Sequence, residues 1–142
     1  MRMSAKLTTL AILFYLPQVE ARAESLQEWS RRFSVQYITG MATFQKDPLR
    51  DKGAIIAMPA RLDRVVADNS AIFRGGVLPG PGDASPNAQI VLSKFPTEQF
   101  TAGQTLVVAF KICGIHSQYR LPHGEFVAAH ICVRPDCQDF LR

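Results

Sequence analysis

A chain of 142 residues can bury one hydrophobic core and not two, so its 47% hydrophobic content belongs to a single domain. The formal charge of +4 falls to about +2 once residues 1–23 are set aside, because Arg2, Lys6 and Arg22 leave together with Glu20. A near-balance of that kind lacks the dense basic face of a nucleic-acid binder, and no stable nucleic-acid binding is expected.

Residues 1–23 have the order of an export signal. Arg2 and Lys6 precede the apolar run 7–16, Pro17 breaks it, and Ala21-Arg22-Ala23 puts small residues where a signal peptidase needs them. That run is far short of the roughly 20 apolar residues that span a bilayer as a helix. The reading is cleavage before Glu24 and one domain over 24–142, periplasmic or secreted, with no membrane span after cleavage. Cys113, Cys132 and Cys137 would then meet an oxidising compartment.

After the cut, Ser25 and Glu28 form a capping-box pattern that starts a helix. Leu26, Trp29, Phe33, Tyr37, Met41 and Phe44 recur every three or four residues, which predicts a helix over 25–45. Its weak stretch is 34–40, where β-branched residues and Gly40 leave a strand over 35–43 as the alternative. From Ala54 the period becomes two: Ala54, Ile56, Met58, Ala60 and Leu62 alternate as one face of a strand. Asp68-Asn69-Ser70 is a turn and 71–74 a return strand, followed by a Gly/Pro-rich loop over 75–87. Further strands are predicted at 89–93, 105–113 and 126–133. A helical turn fits 95–100, a tight turn 102–104, and a loop holding His116, Tyr119, Arg120 and His123 fills 114–125. One helix and about five strands make an α+β class.

The 52–133 stretch resembles the small exported OB-fold-like domains of bacteria, in which an N-terminal helix precedes a five-stranded, partly open β-barrel. The matching features are the strand after Lys52-Gly53, the turn and return at 68–73, Phe100-x-x-Gly103-Gln104-x-Leu106-Val107-Val108, Lys111-Ile112-Cys113-Gly114, and the closing Ile131-Cys132-Val133. The resemblance implies a barrel over 53–133 and a C-terminal tail over 134–142. It implies a fold and not a function.

No phosphate loop, Gly-x-Ser-x-Gly elbow, His-Glu-x-x-His or Cys-x-x-Cys occurs. The expected chemistry is structural: Cys132 and Cys137 flank a Pro135-Asp136 turn and would form a disulfide, whereas the hairpin separates Cys113 from Cys132 by more than a disulfide can span. A metal site from His116, His123, His130 and those cysteines matches no recognised zinc spacing. A nucleophile pair of Cys113 with His116 or His130 as base is not expected, because Cys113 ends a strand of apolar neighbours where a free cysteine is an inert core residue, and nothing in the spacing brings together a carboxylate pair among Asp63, Asp68, Glu98 and Glu125. No cofactor is implied. Arg61, Arg64 and Arg74 near the second and third strands, with His116, Tyr119, Arg120 and His123 in the last loop, are the candidate ligand-binding residues. The leading expectation is a non-enzymatic domain binding an envelope protein or other ligand. The alternatives are a small envelope hydrolase with its site in the 114–125 loop, and an oligonucleotide-binding module.

Overall fold

The computed structural model describes residues 24–75 and 87–131. The segment 1–23 read as an export signal, most of the Gly/Pro-rich loop, and the 132–142 segment with Cys132 and Cys137 lie outside the described residues. Within them the chain is mostly a six-stranded mixed sheet with two short helices.

The helix expected over 25–45 is two helices separated by a strand: α1 (Leu26–Arg32), β1 (Tyr37–Ile38) and α2 (Met41–Lys46). At the start of α1 the Ser25 side chain accepts from the Glu28 amide while the Glu28 carboxylate accepts from the Ser25 amide, each at 3.0 Å. Its end is a Schellman turn. Val35 N–H bonds the Ser30 carbonyl, Ser34 N–H bonds the Arg31 carbonyl, and Ser34 takes the left-handed conformation at φ +58°. The chain leaves this turn extended, and Tyr37 and Ile38 pair in parallel with Ile56 and Ala57.

β2 (Ile55–Val66), β3 (Ser70–Arg74), β4 (Gln89–Ser93), β5 (Thr105–Ile115) and β6 (Pro122–Ile131) follow. Asp68 and Asn69, both at positive φ, turn β2 into β3, as this dipeptide allows. Sheet order is β1-β2-β3-β4-β6-β5, with β2 also pairing β5. The pairings among the last five strands thus return on themselves, antiparallel except for β4 beside β6.

Alternation sorts the strands into two faces. Ile56, Met58, Ala60 and Leu62 of β2 meet Ala71, Phe73, Ile90, Leu92, Leu106, Val108, Phe110 and Ile112 in the main core, closed at one side by Met41 and Phe44 of α2. On the opposite face Ala57, Val107, Ala109 and Ala128 form a seat of small side chains for Leu26 and Trp29 of α1. Trp29 is 2% exposed, so the aromatic stripe of α1 is core and not a free groove.

The 114–125 loop is much shorter than its sequence suggests. β5 runs to Ile115 and β6 starts at Pro122, with Gly114 paired to His123 and Ile115 to Pro122. A register shift between Ile112 and Gly114, with Gly114 at φ +151°, carries the ladder through a stretch whose Gly and Pro suggest coil. His123 is therefore a strand residue. Among the described residues no helix is long and apolar enough to cross a membrane.

Candidate functional site

Residues directly paired across neighbouring strands send their side chains to the same side of the sheet. Arg61 pairs with Thr105 on one side and Arg74 on the other, and Arg74 pairs with Gln89. A row of hydrogen-bond donors, Thr105, Arg61, Arg74 and Gln89, so crosses four strands on the face opposite the main core. Asp63 is the carboxylate of this region. Its Oδ2 lies 2.5 Å from Arg64 Nη1 and its Oδ1 3.2 Å from Arg74 Nε. The second contact is out of line for a hydrogen bond, which leaves the buried Arg74 Nε–H without a hydrogen-bond acceptor among the described residues. Arg61 is exposed and has no carboxylate partner among the described residues.

A second row on this face runs Arg64, Ile72, Val91, His123. Ile72 and Val91 are fully buried there although they face away from the main core. The sheet therefore brings His123, 49 residues beyond Arg74 in the chain, onto one surface with Arg61, Arg64 and Arg74. Asp63 within it prevents a continuous positive face.

At the His123 end, Ser93 Oγ lies 3.1 Å from His123 Nε2. Ser93 sits opposite Glu125 on β6, and Glu125 pairs with Lys94 at 3.5 Å. Partial burial, reinforced by nearby His116 and opposed by Glu125, holds the His123 imidazole below its ordinary value of 6.5. His116 caps the hairpin. Its Nδ1 accepts the amides of Gln118 and Tyr119 at 3.2 and 3.3 Å. Its ring lies 5.0 Å from Tyr119 and 5.5 Å, edge to face, from His123. Arg120 is exposed at φ +58°, the left-handed residue of this turn.

Other candidates are dispersed. His130 packs against Trp29, ring centroids 5.4 Å apart and tilted by 51°, beneath α1 and far from the His116 hairpin along β6. Cys113 is a free thiol whose Sγ donates to the Lys111 carbonyl at 3.4 Å. Ile131 pairs with Leu106, seven residues along β5 from Cys113, about 23 Å at ~3.3 Å per residue. Among the described residues no group of three or more His, Cys, Asp or Glu converges on a point. The Cys132–Cys137 pair lies outside the described residues.

Two features escape a reading of the sequence. Ser93 is unremarkable until the parallel pairing of β4 with β6 brings it to His123. Tyr37, Arg50 and Asp51 form a cluster in which the phenol donates to Asp51 and Arg50 bonds both, clamping β1 to the turn before β2. Burial, then the Asp51 carboxylate, raises the Tyr37 phenol above 10.0, so it stays a donor. A cleft of about 290 Å³ lies between α1 and β1, lined by Gln27, Arg31, Gln36 and Ile38 and by no histidine. Compared with known proteins, the chain matches no family model, no curated protein and no solved structure.

Proposed function

We propose that the chain is an exported, non-enzymatic domain of OB type that binds a protein or other ligand in the bacterial cell envelope. The observation that supports the fold reading is the circuit of pairings through β2, β3, β4, β6 and β5, with one parallel contact between β4 and β6. Small OB barrels have five strands and bind ligands over their second and third strands and flanking loops. In this chain those strands would be β3 and β4, whose outer surface carries Arg74 and Gln89 beside Arg61.

The export reading rests on the n-region, apolar run and Ala-x-Ala order of residues 1–23. N-terminal sequencing of the exported protein should begin at Glu24. Thiol counting under denaturing, non-reducing conditions should find one free thiol, and three would sink the proposed Cys132–Cys137 bond. Affinity capture with the 24–142 protein from an envelope extract should recover a defined partner. Recovery of none, together with turnover in a substrate library, would overturn the binding reading.

One observation favours a hydrolase as the second reading: the 3.1 Å contact of Ser93 Oγ with a His123 imidazole biased toward its neutral, basic form. A hydroxyl beside a neutral imidazole is the first requirement of an activated serine. Labelling of Ser93 by a fluorophosphonate, lost in Ser93→Ala, is the outcome that would favour it over binding.

A further inference from the structure

We propose that the Thr105, Arg61, Arg74, Gln89 row is a docking site for an acidic, extended peptide segment of a partner protein. The proposal deepens the binding reading and rests on it.

Two observations call for an anion here. Like charges placed directly opposite on neighbouring strands repel, and Arg61 and Arg74 are such a pair. The compensating carboxylate, Asp63, is shared between Arg64 and Arg74 and leaves Arg61 without one among the described residues. The Arg74 side chain is 35% exposed, and its buried Nε–H, although 3.2 Å from Asp63 Oδ1, has no hydrogen-bond acceptor among the described residues. The flanking Thr105 hydroxyl and Gln89 carboxamide extend the row with further groups able to donate. The row therefore offers an incoming ligand an excess of donors over negative charge.

The chemistry of the row selects the class of anion. Guanidinium forks match carboxylates in bidentate geometry. No aromatic side chain stands in the row, and Phe73, next in sequence to Arg74, is buried on the opposite face. Bases would find nothing to stack on, which disfavours single-stranded nucleic acid. Spacing agrees with a peptide. Four strands at ~4.8 Å spacing make the row about 14 Å long, and same-side residues of an extended peptide recur about every 6.7 Å. Two or three alternate carboxylates would cover it.

The probe is fluorescein-labelled deca-glutamate, titrated at low ionic strength against the 24–142 protein, with a labelled ten-nucleotide oligothymidine as competitor class. Arg61→Gln is the informative variant, because Arg61 is exposed and makes no ion pair among the described residues, and Arg31→Gln on α1 is the matched loss of charge elsewhere. We expect saturable peptide binding, weakened at least fivefold by Arg61→Gln and less than twofold by Arg31→Gln. Equal weakening by both variants, absence of peptide binding, or tighter binding of the oligothymidine through Arg61 would overturn the proposal. Capture from the envelope extract separates this failure from that of the broader reading. A partner recovered equally by wild type and Arg61→Gln removes the row and leaves the binding module standing, whereas no partner and no peptide binding removes both.

Discussion

Gly124 shows how one residue can be fixed by its neighbours without any role in chemistry. A Cβ built there would fall inside the contact distance of the Phe110 ring and 3.0 Å from the Lys111 carbonyl. Phe110 sits in the main core and Lys111 O belongs to the ladder with β6, so neither has room to move. Gly124→Ala should lower stability by about 1–3 kcal/mol, the usual range for overpacking, read as a shift in urea midpoint at constant m. Its neighbour His123 makes a pH prediction. Partial burial lowers its folded-state value relative to 6.5, so the unfolded chain binds the proton more readily. The His123 contribution is therefore fully present above pH 6.5 and is lost as pH falls through the lower folded value. His123→Gln should flatten that part of the stability profile, and an unchanged slope in urea titrations would contradict the assignment. Neither constraint can be seen in sequence, where Gly124 looks like loop punctuation and His123 like a loop histidine.

Helix α1 illustrates where periodicity misleads. The three-and-four spacing is real on each side of Ser34, but Leu26 and Trp29 pack on one face of the sheet and Met41 and Phe44 on the other. A single helix cannot serve both faces, and the Schellman turn is what allows the crossing. The capping box was legible because both partners lie within one turn. The seat of Ala57, Val107, Ala109 and Ala128 was not, since each alanine reads as a neutral spacer until three strands bring them together. Seven residues are too few to hold a helix alone, so α1 depends on its caps and on burial of Leu26 and Trp29. Ser34 is the imperfect part of that arrangement, a residue with a Cβ in the left-handed region. Ser34→Gly removes a steric cost of about 1–2 kcal/mol while adding unfolded-state entropy of about 0.4–1 kcal/mol, a net gain of about 0–1.6 kcal/mol. Thermal unfolding should show a higher midpoint for Ser34→Gly and a lower one for Ser34→Val.

Across the whole molecule, β2 was readable from the alternation of Ala54, Ile56, Met58, Ala60 and Leu62, and the other strands from short apolar runs bounded by turn residues, in which Ile72 and Val91 are buried on the opposite face as well. Their partners were not, because pairing is decided by contacts between distant segments. Ile55 meets Lys111, and Val91 meets His123 in parallel. The same distance in sequence hid the donor row and the Ser93–His123 contact. It also sets the folding rate, since closing the loops between β2 and β5 and between β4 and β6 costs chain entropy before any long-range contact compensates. Domains dominated by such pairings fold in milliseconds to seconds, and this one should do so too. Trp29 is the single tryptophan, buried against Phe33 and His130 on the seat that β2, β5 and β6 complete. Its fluorescence therefore reports the sheet and not α1 alone. Stopped-flow refolding from urea should give a main phase in that window, with any slower phase of tens of seconds abolished by a prolyl isomerase. A Trp29 signal complete within microseconds would mean that α1 finds its seat before β2 and β5 pair, which the placement of Ala57 and Val107 on those two strands forbids.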